Sequence, residues 1–288
     1  MMDKSQWQEV LNEWLGTGTT VIGVELLREW SQSRVVRIRA QVKGEDRVIF
    51  AKQAHVGIDT EMAIYSLAAE TRAFPAPAGR CVRVDKVQWL LLDEAQGIRL
   101  ANSTPANYRL AAQFLADFHE QALQEGWPDK ASFTDDLHSR IAALAEQVIE
   151  QVRELVSTGQ FTGVDQGLVN AAQRLLDVQG PELIKRLSVL PTTLVHGDCH
   201  SGNIFISTHG IQLVDWGSAM VAPGLLDIVG LVDVAERMSE RAGGIEAIIS
   251  AYWTNLSAGT RSAYGNFEKA WLVLRVVRAL LELEWFVK

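Results

Sequence analysis

The chain contains 288 residues, of which 48% are hydrophobic and 22% are charged, and its formal net charge is −8. This length can bury a core large enough for two lobes, and the composition is ordinary for a soluble globular protein. An acidic chain lacks the basic stripe with which nucleic-acid-binding proteins neutralise phosphates, so we expect no nucleic-acid partner. A negative surface instead favours a cationic small-molecule partner.

The first third of the sequence is rich in predicted strands. Apolar residues at helical spacing predict an amphipathic helix over residues 4–15 and a second helix over 59–71. The segment KGED favours a hairpin turn between the second and third strands. The predicted strands cover residues 21–28, 34–42, 47–53, 80–85 and 87–94.

The rest of the sequence is mostly helical in pattern. The predicted helices cover residues 107–124, 136–157, 166–188 and most of 225–288, and the predicted short strands cover 193–195, 204–206 and 211–214. We therefore predict an α+β fold of two lobes. A small β-rich N-terminal lobe, with a five-stranded sheet and a helix, covers residues 1–95, and a larger helical C-terminal lobe covers residues 96–288.

The cysteines and the N-terminal segment indicate the cellular compartment. Cys81 and Cys199 are too far apart and too few for a disulfide framework. Residues 1–10 lack the basic and apolar regions of a signal peptide, and no run of about 18 apolar residues predicts a membrane span. We expect a cytoplasmic protein, and the sequence does not predict its oligomeric state.

The segment LVHGDCHSGNIFI, residues 194–206, places several reactive side chains between two apolar runs. Asn203 follows Asp198 by five residues, and Asp215 follows at the end of the next apolar strand. One carboxylate could deprotonate a hydroxyl, while the second carboxylate and the amide oxygen could hold Mg²⁺, which prefers oxygen ligands. Protein kinases have the same step from a catalytic Asp to a metal-binding Asn, with a later Asp on the metal. The spacing predicts phosphoryl transfer.

The same segment allows two other interpretations. His196, Cys199 and His200 could bind zinc, although no second Cys/His cluster with ligand spacing occurs in the sequence. Cys199 could also act as a nucleophile beside a histidine. A serine hydrolase is not indicated, because the sequence contains no G-x-S-x-G motif.

HGD, four residues, Asn and a later DW together resemble the aminoglycoside phosphotransferase/choline kinase superfamily, small-molecule kinases with a protein-kinase-like fold. The resemblance covers most of the chain. It implies that Asp198 is the catalytic base and that Asn203 and Asp215 are the Mg²⁺ ligands. It also implies that Lys52, in VIFAK, holds the phosphates of ATP or GTP and that Glu61 is its ion-pair partner.

Further segments extend the resemblance. LLLDEAQG resembles the hinge, where backbone groups near Asp93 and Ala95 would bind the nucleotide base. His119 and His196 fall at positions that are structural in the family, and Asp227, in APGLLDI, falls where an aspartate braces the catalytic loop.

The predicted nucleotide loop, EWSQSR at residues 29–34, departs from the family pattern because it contains no glycine. Glycines allow backbone amides to approach phosphates closely. Here Ser31 and Ser33 offer hydroxyls and amides, and Arg34 offers a charge. This departure leaves the geometry of nucleotide contact and the choice between ATP and GTP open.

The acceptor is the least determined part of the prediction. The leading hypothesis, from the resemblance and the acidic charge together, is an aminoglycoside or a related amino-sugar antibiotic. Choline, homoserine, a sugar or a modified amine are alternative acceptors. A non-catalytic nucleotide-binding module on the same fold is the rival from another class, and the glycine-free loop is its support.

Overall fold

A computed structural model describes residues 2–29, 33–54, 58–71, 74–84, 86–130, 137–159, 165–236 and 244–287. The chain packs into two compact units, one formed by residues 1–103 and 201–219 and the other by residues 104–200 and 220–288. The predicted α+β organisation is confirmed, because the N-terminal part is built on a sheet and the C-terminal part is mostly helical. The predicted lobe limits at residues 95 and 96 stay a prediction.

The first seven elements of the first unit are α1 (Lys4–Leu15), β1 (Thr19–Glu29), β2 (Ser33–Val42), β3 (Glu45–Ala54), α2 (Ile58–Glu70), β4 (Gly79–Val84) and β5 (Val87–Asp93). The five strands form an antiparallel sheet in the order β1-β2-β3-β5-β4. The predicted hairpin turn joins β2 to β3. Lys43 and Gly44 both have positive φ, at 54° and 90°, which is the type I′ geometry that matches the twist of paired strands.

Helix α1 covers one face of this sheet. The Asp3 carboxylate accepts hydrogen bonds from the backbone N–H groups of Ser5 and Gln6, and the Gln6 side chain accepts from the Asp3 N–H. This reciprocal cap satisfies donors that would otherwise lack partners at the helix start. Trp7 is fully buried and meets Trp89 edge-on, with ring centroids 5.1 Å apart. The helix is therefore part of the core of the first unit.

A small sheet in the first unit contains the strand that follows Asn203 and the strand that precedes Asp215. Strands β6 (Ile98–Arg99), β8 (Ile204–Ser207) and β9 (Gly210–Leu213) pair in the order β6-β8-β9. Strand β6 was not predicted from the sequence, because two residues are too short to show a period. The β8–β9 hairpin brings the residues that precede β8 close to the residues that follow β9.

The second unit is mostly helical, with one short ribbon formed by β7 (Thr193–Val195) and β10 (Met220–Ala222). Its helices are α3 (Pro105–Gln124), α4 (Trp127–Lys130), α5 (Leu137–Ser157), α6 (Gln166–Leu187), α7 (Leu225–Glu236), α8 (Ile245–Asn255), α9 (Ala258–Tyr264) and α10 (Phe267–Val287). Helix α3 packs on α8, and α5 packs on α6 and α10. Within the described residues, no helix is long and apolar enough to cross a membrane.

Candidate functional site

Lys52 and Glu61 form an ion pair inside the first unit. Lys52 lies on β3 and Glu61 in the first turn of α2, with Lys52 Nζ 2.7 Å from Glu61 Oε2. Burial opposes the charge on Lys52, but the carboxylates of Glu61 and Asp215 outweigh it and raise the pKa of this lysine. Burial also raises the pKa of Glu61, against the lowering effect of Lys52. The structure thus fixes a cation between two carboxylates.

Asp215 is the second of these carboxylates. It follows β9 in the left-handed conformation, with φ 67° and ψ 59°, which costs energy for any residue other than glycine. Its carboxylate contacts Lys52 Nζ and remains 48% exposed. The next residue, Trp216, is fully buried, donates from its indole N–H to the Leu213 carbonyl at 3.0 Å and anchors this turn. The carboxylate therefore projects from a rigidly held turn.

Asn203 lies beside the same turn. It precedes β8, is mostly buried, and its carbonyl accepts a hydrogen bond from the Val214 N–H at 3.0 Å. Because Ile204 pairs with Leu213 across the β8–β9 hairpin, Asn203 and Asp215 both lie at the open end of this strand pair. One carboxylate and one amide oxygen suit Mg²⁺, which keeps several waters and takes few protein ligands.

The zinc interpretation of His196, Cys199 and His200 is not supported. Among the residues that the structure describes, no three His, Cys, Asp or Glu side chains come together as a metal site. The nucleophile interpretation of Cys199 also loses support. The thiol is buried, and burial, followed by the carboxylates of Asp227 and Asp198, raises its pKa well above the ordinary value. A thiolate, the reactive form, is thus disfavoured.

The predicted nucleotide loop is only partly described, and Ser31 lies outside the described residues. Ser33 begins β2, is buried, and its hydroxyl accepts a hydrogen bond from Arg28 at 3.2 Å. Arg34 forms an ion pair with Glu29 across the β1–β2 pair. The charge that Arg34 could offer to a phosphate is therefore offset in this structure.

The predicted hinge follows β5. The Asp93 N–H donates to the Ala78 carbonyl at 2.8 Å, and the Gln96 N–H donates to the Gln212 side chain at 2.8 Å. The Asp93 carboxylate lies 2.7 Å from Arg47, and burial raises the pKa of Asp93 against the effect of this arginine. Ala95, which is half-buried, lies between these residues. The backbone N–H of Asp93 therefore already has a hydrogen-bond acceptor within the protein.

In the second unit, Asp227 braces the segment that contains Asp198. The buried Asp227 carboxylate accepts hydrogen bonds from the backbone N–H groups of His196, at 2.8 Å, and Gly197, at 2.9 Å, and lies 3.2 Å from His119 Nε2. Burial alone would raise the pKa of Asp227, but the hydrogen bond from His119 and the interactions with His119 and His196 lower it. One carboxylate thus fixes two consecutive backbone groups of the loop.

Asp198 follows directly and is half-buried. Its backbone N–H donates to His196 Nδ1 at 3.3 Å, and its Oδ1 lies 3.1 Å from Arg278 Nη2. His200 Nε2 lies 3.7 Å from the other carboxylate oxygen. The Asp198 carboxylate therefore sits on a loop held from two sides, by Asp227 of α7 and Arg278 of α10.

Comparison with known proteins identifies the family. The model of a phosphotransferase enzyme family, APH, matches residues 26–262. The chain belongs to this phosphotransferase family. No curated protein matches the chain. Three solved structures illustrate the likeness in fold, and all three are similar to the phosphotransferase over almost its whole length.

A point mutant of aminoglycoside 2'-phosphotransferase-IIIa in its GDP complex is 16% identical, with a TM-score of 0.60, over 99% of this chain and 96% of that one. APH(3'')-Id from Streptomyces rimosus, with ADP and streptomycin, is 19% identical, with a TM-score of 0.59, over 97% and 99%. The ethanolamine kinase of Plasmodium vivax is 11% identical, with a TM-score of 0.63, over 98% and 80%. The predicted protein-kinase-like fold and the prediction of a small-molecule kinase are confirmed.

Arg278 lies beside Asp198 in the phosphotransferase, and the sequence did not predict this contact. Arg278 contacts Asp198 although the two lie 80 positions apart in the sequence. A local signal was available, because Arg278 falls on the buried stripe of α10 with Leu274 and Val277. A charged residue on an apolar helix face needs a partner, but the sequence could not show which one.

A buried polar chain extends from Asp227 through α3 to α8. His119 Nδ1 lies 2.9 Å from the Tyr252 hydroxyl, and the nearby Tyr264 hydroxyl accepts from the Leu225 N–H at 3.2 Å. Burial raises the pKa of Tyr264 to about 12. Gly224 makes this chain possible, since a Cβ there would lie 2.6 Å from both His119 Nδ1 and the Tyr252 hydroxyl oxygen.

We expect Gly224→Ala to lower the free energy of unfolding by about 1–3 kcal/mol, the usual cost of overpacking a buried site. The measurement is urea unfolding of both proteins. Gly259→Ala, in α9, is the matched control, because its Cβ would meet nothing closer than 3.7 Å, and a helical Gly→Ala change stabilises by about 0.5–1 kcal/mol. Equal stability of the two variants would contradict the prediction.

Proposed function

We propose that the protein transfers the γ-phosphoryl group of a nucleoside triphosphate to a hydroxyl of a small molecule, in a Mg²⁺-dependent reaction. The observation that carries the proposal is the buried Lys52 ammonium held between Glu61 and Asp215, in a chain that the family match shows to be a phosphotransferase. A lysine held by a helix glutamate beside a metal-binding aspartate is the arrangement with which kinases bind nucleotide phosphates.

Each residue of the first unit has a proposed role toward the nucleotide. Lys52 holds the phosphates and Glu61 orients Lys52. Asn203 and Asp215 hold Mg²⁺, which supplies positive charge to the phosphate oxygens when it is bound. Because the Lys52 pKa is raised, this side chain stays cationic at neutral pH and serves as a fixed charge and not as a proton acceptor.

Further residues of the first unit are proposed to contact the nucleotide. Ser31 and Ser33 offer their amides to the phosphates. Near the hinge, the backbone of Ala95 binds the base, and Asp93 contributes its carbonyl, because its N–H already donates to Ala78. We propose ATP or GTP as the phosphoryl donor.

In the second unit, Asp198 is the proposed catalytic base. It orients the acceptor hydroxyl and accepts its proton as the phosphoryl group is transferred. The chemistry needs no covalent intermediate, because positioning and electrostatic stabilisation account for most of phosphoryl-transfer catalysis. His119, His196 and Asp227 support the loop without contacting the acceptor in this proposal.

The proposed acceptor is an aminoglycoside or a related amino-sugar antibiotic, which implies a role in antibiotic resistance in the cytoplasm. The streptomycin complex of a protein with this fold supports it, as does the net charge of −8, which attracts cationic ligands. A metabolic amino alcohol is the second candidate, and the similarity of fold to an ethanolamine kinase supports it. Both acceptor classes carry a cation beside a hydroxyl.

The test is a screen of nucleoside-diphosphate release with Mg²⁺ and ATP or GTP in turn. The acceptors are aminoglycosides, choline, ethanolamine, homoserine and simple sugars. We expect turnover with one cationic acceptor and its loss when EDTA removes Mg²⁺. EDTA-resistant turnover would contradict the metal assignment, and turnover with only a neutral sugar would contradict the acceptor assignment. Nucleotide binding without turnover on any acceptor would favour a non-catalytic binding module.

A further inference from the structure

Arg278 is a buried cation at a position where helix α10 is otherwise apolar. Its neighbours on the same face, Leu274 and Val277, are fully buried, and Arg278 itself is only 8% exposed. Removing a guanidinium from water is strongly unfavourable unless charged or polar partners compensate. The partners of Arg278 therefore indicate what this buried charge is for.

The guanidinium contacts three acceptors with three different nitrogens. Nη2 lies 3.1 Å from Asp198 Oδ1, Nη1 donates to the Gly197 carbonyl at 2.8 Å, and Nε donates to Glu282 Oε1 at 3.0 Å. Burial opposes the charge, but the carboxylates of Asp198 and then Glu282 outweigh it, so the pKa of Arg278 is raised. Two of the three acceptors belong to consecutive residues of the loop that carries the proposed catalytic base.

The backbone of α7 packs against Arg278 and the loop at Gly230. A Cβ at Gly230 would lie 2.9 Å from the Cys199 carbonyl oxygen and 3.6 Å from Arg278 Cζ. The helix thus packs directly against both the loop and the guanidinium, which leaves little room for either to shift. The planar fork of an arginine fixes direction as well as charge, which a lysine ammonium does not.

We infer that Arg278 is a positioning residue for phosphoryl transfer, which acts through Asp198. This inference rests on the proposed function. By binding Oδ1 and the preceding carbonyl together, Arg278 fixes the rotation of the Asp198 carboxylate and so directs its other oxygen as a proton acceptor. Catalysis by a positioned base is sensitive to displacements of about 1 Å, which can cost about 10²-fold in rate.

Glu282, one turn further along α10, is the third partner of the Arg278 guanidinium. Its carboxylate accepts a hydrogen bond from Arg278 Nε. The orientation of the guanidinium plane is therefore fixed by a partner on its own helix as well as by the loop. Arg278 is thereby preorganised, and the loop carboxylate meets donors that need no rearrangement. Glu282→Gln keeps an acceptor for Nε but removes the charge, so we expect it to have a smaller effect than loss of Arg278.

The experiment measures ADP or GDP release from Mg²⁺-ATP and Mg²⁺-GTP by the whole chain, with water as the acceptor. The variants are Arg278→Ala, Arg278→Lys, Asp198→Ala and the double variant. We expect Arg278→Ala to lower kcat about 10- to 100-fold with little change in the nucleotide KM. Arg278→Lys restores part of the rate, and added methylguanidinium restores part of it in Arg278→Ala.

The double variant separates positioning from a structural role. If Arg278 acts through Asp198, Arg278→Ala causes no further loss in the Asp198→Ala background. Arg275→Ala is the matched control, because Arg275 lies on the same helix and its side chain is exposed. Thermal unfolding of each variant identifies general loss of structure, and Arg278→Lys keeps the test valid if Arg278→Ala does not fold.

The outcomes are distinct. An undiminished rate in Arg278→Ala, or additive losses in the double variant, would overturn the inference while leaving the proposed function intact. Equal loss in Arg275→Ala and Arg278→Ala would overturn it as well, because the effect would then belong to the helix and not to the guanidinium. Hydrolysis that is equal in wild type and Asp198→Ala would instead contradict the proposed role of Asp198 as the catalytic base.

Discussion

We expect Asp198→Asn to lower kcat by about 10²- to 10⁴-fold, the usual contribution of a positioned general base. Asparagine has nearly the same shape, and its oxygen can still accept the hydrogen bond from Arg278 that Oδ1 of Asp198 accepts. It cannot take a proton from the acceptor hydroxyl at neutral pH. Shape and loop packing are therefore kept while the proposed chemistry is lost, and the measurement is the initial rate of nucleoside-diphosphate release.

Nucleotide affinity provides the internal control for this prediction. Lys52, Glu61 and Asp215 form their cluster within the first unit, so the dissociation constant of Mg²⁺-ATP should change less than threefold, which is about 0.7 kcal/mol. Asp129→Asn makes the same chemical change at an exposed position on α4 and should leave kcat unchanged. A rate in Asp198→Asn close to that of wild type would remove Asp198 from the role of base.

The elements that were predicted well have a strong local period or a strong local turn. Helix α1 begins and ends at residues 4 and 15 in the structure, as the spacing of Trp7, Val10 and Leu11 predicts. The hairpin between β2 and β3 follows from Lys43-Gly44, where glycine tolerates positive φ. Strand β10 was missed, because its three residues become a strand only by pairing with β7, and sequence shows no such pairing.

In the candidate site, too, some contacts were expected before the structure and others were not. The resemblance to a known family led to the pairing of Lys52 with Glu61 and to a bracing role for Asp227, and the structure brings each of these residues to its partners. Which backbone donors are already used within the fold was not predictable from sequence. The Asp93 N–H, for example, donates to Ala78 across a contact that depends on where β4 begins.

Long-range partners of buried charges are the part that sequence could not supply. Arg278 meets Asp198 only because α10 returns to the loop after folding of the intervening helices. A pattern in one helix predicts that its face is buried, but not what lies opposite. The roles of Asp198, Asn203 and Asp215 stay proposals, which the Asp198 variants and the removal of Mg²⁺ by EDTA test.

We expect Asp227→Asn to lower the free energy of unfolding at pH 7 by about 2–4 kcal/mol, because hydrogen bonds to a buried charge are each worth about 1.5–3 kcal/mol. The carboxylate accepts from the His196 and Gly197 amides and from His119. An asparagine offers only one accepting oxygen, so one backbone donor of the loop loses its partner. Urea unfolding measures the loss, with Asp129→Asn as the exposed control.

The pH dependence of this difference provides the sharper test. The folded-state pKa of Asp227 is lowered, whereas an aspartate in the unfolded chain has a pKa of about 3.9. A lowered pKa stabilises the fold fully above the unfolded value, and this contribution declines as pH falls through the folded value. The gap in unfolding free energy between wild type and Asp227→Asn should therefore be constant from pH 5 to pH 7 and shrink below about pH 4. A gap that keeps its full size at the lowest pH where both proteins fold would show that the Asp227 charge does not hold the loop.

Since the same two backbone amides set the path of the chain into Asp198, Asp227→Asn should also lower kcat at pH 7 while nucleotide affinity is kept.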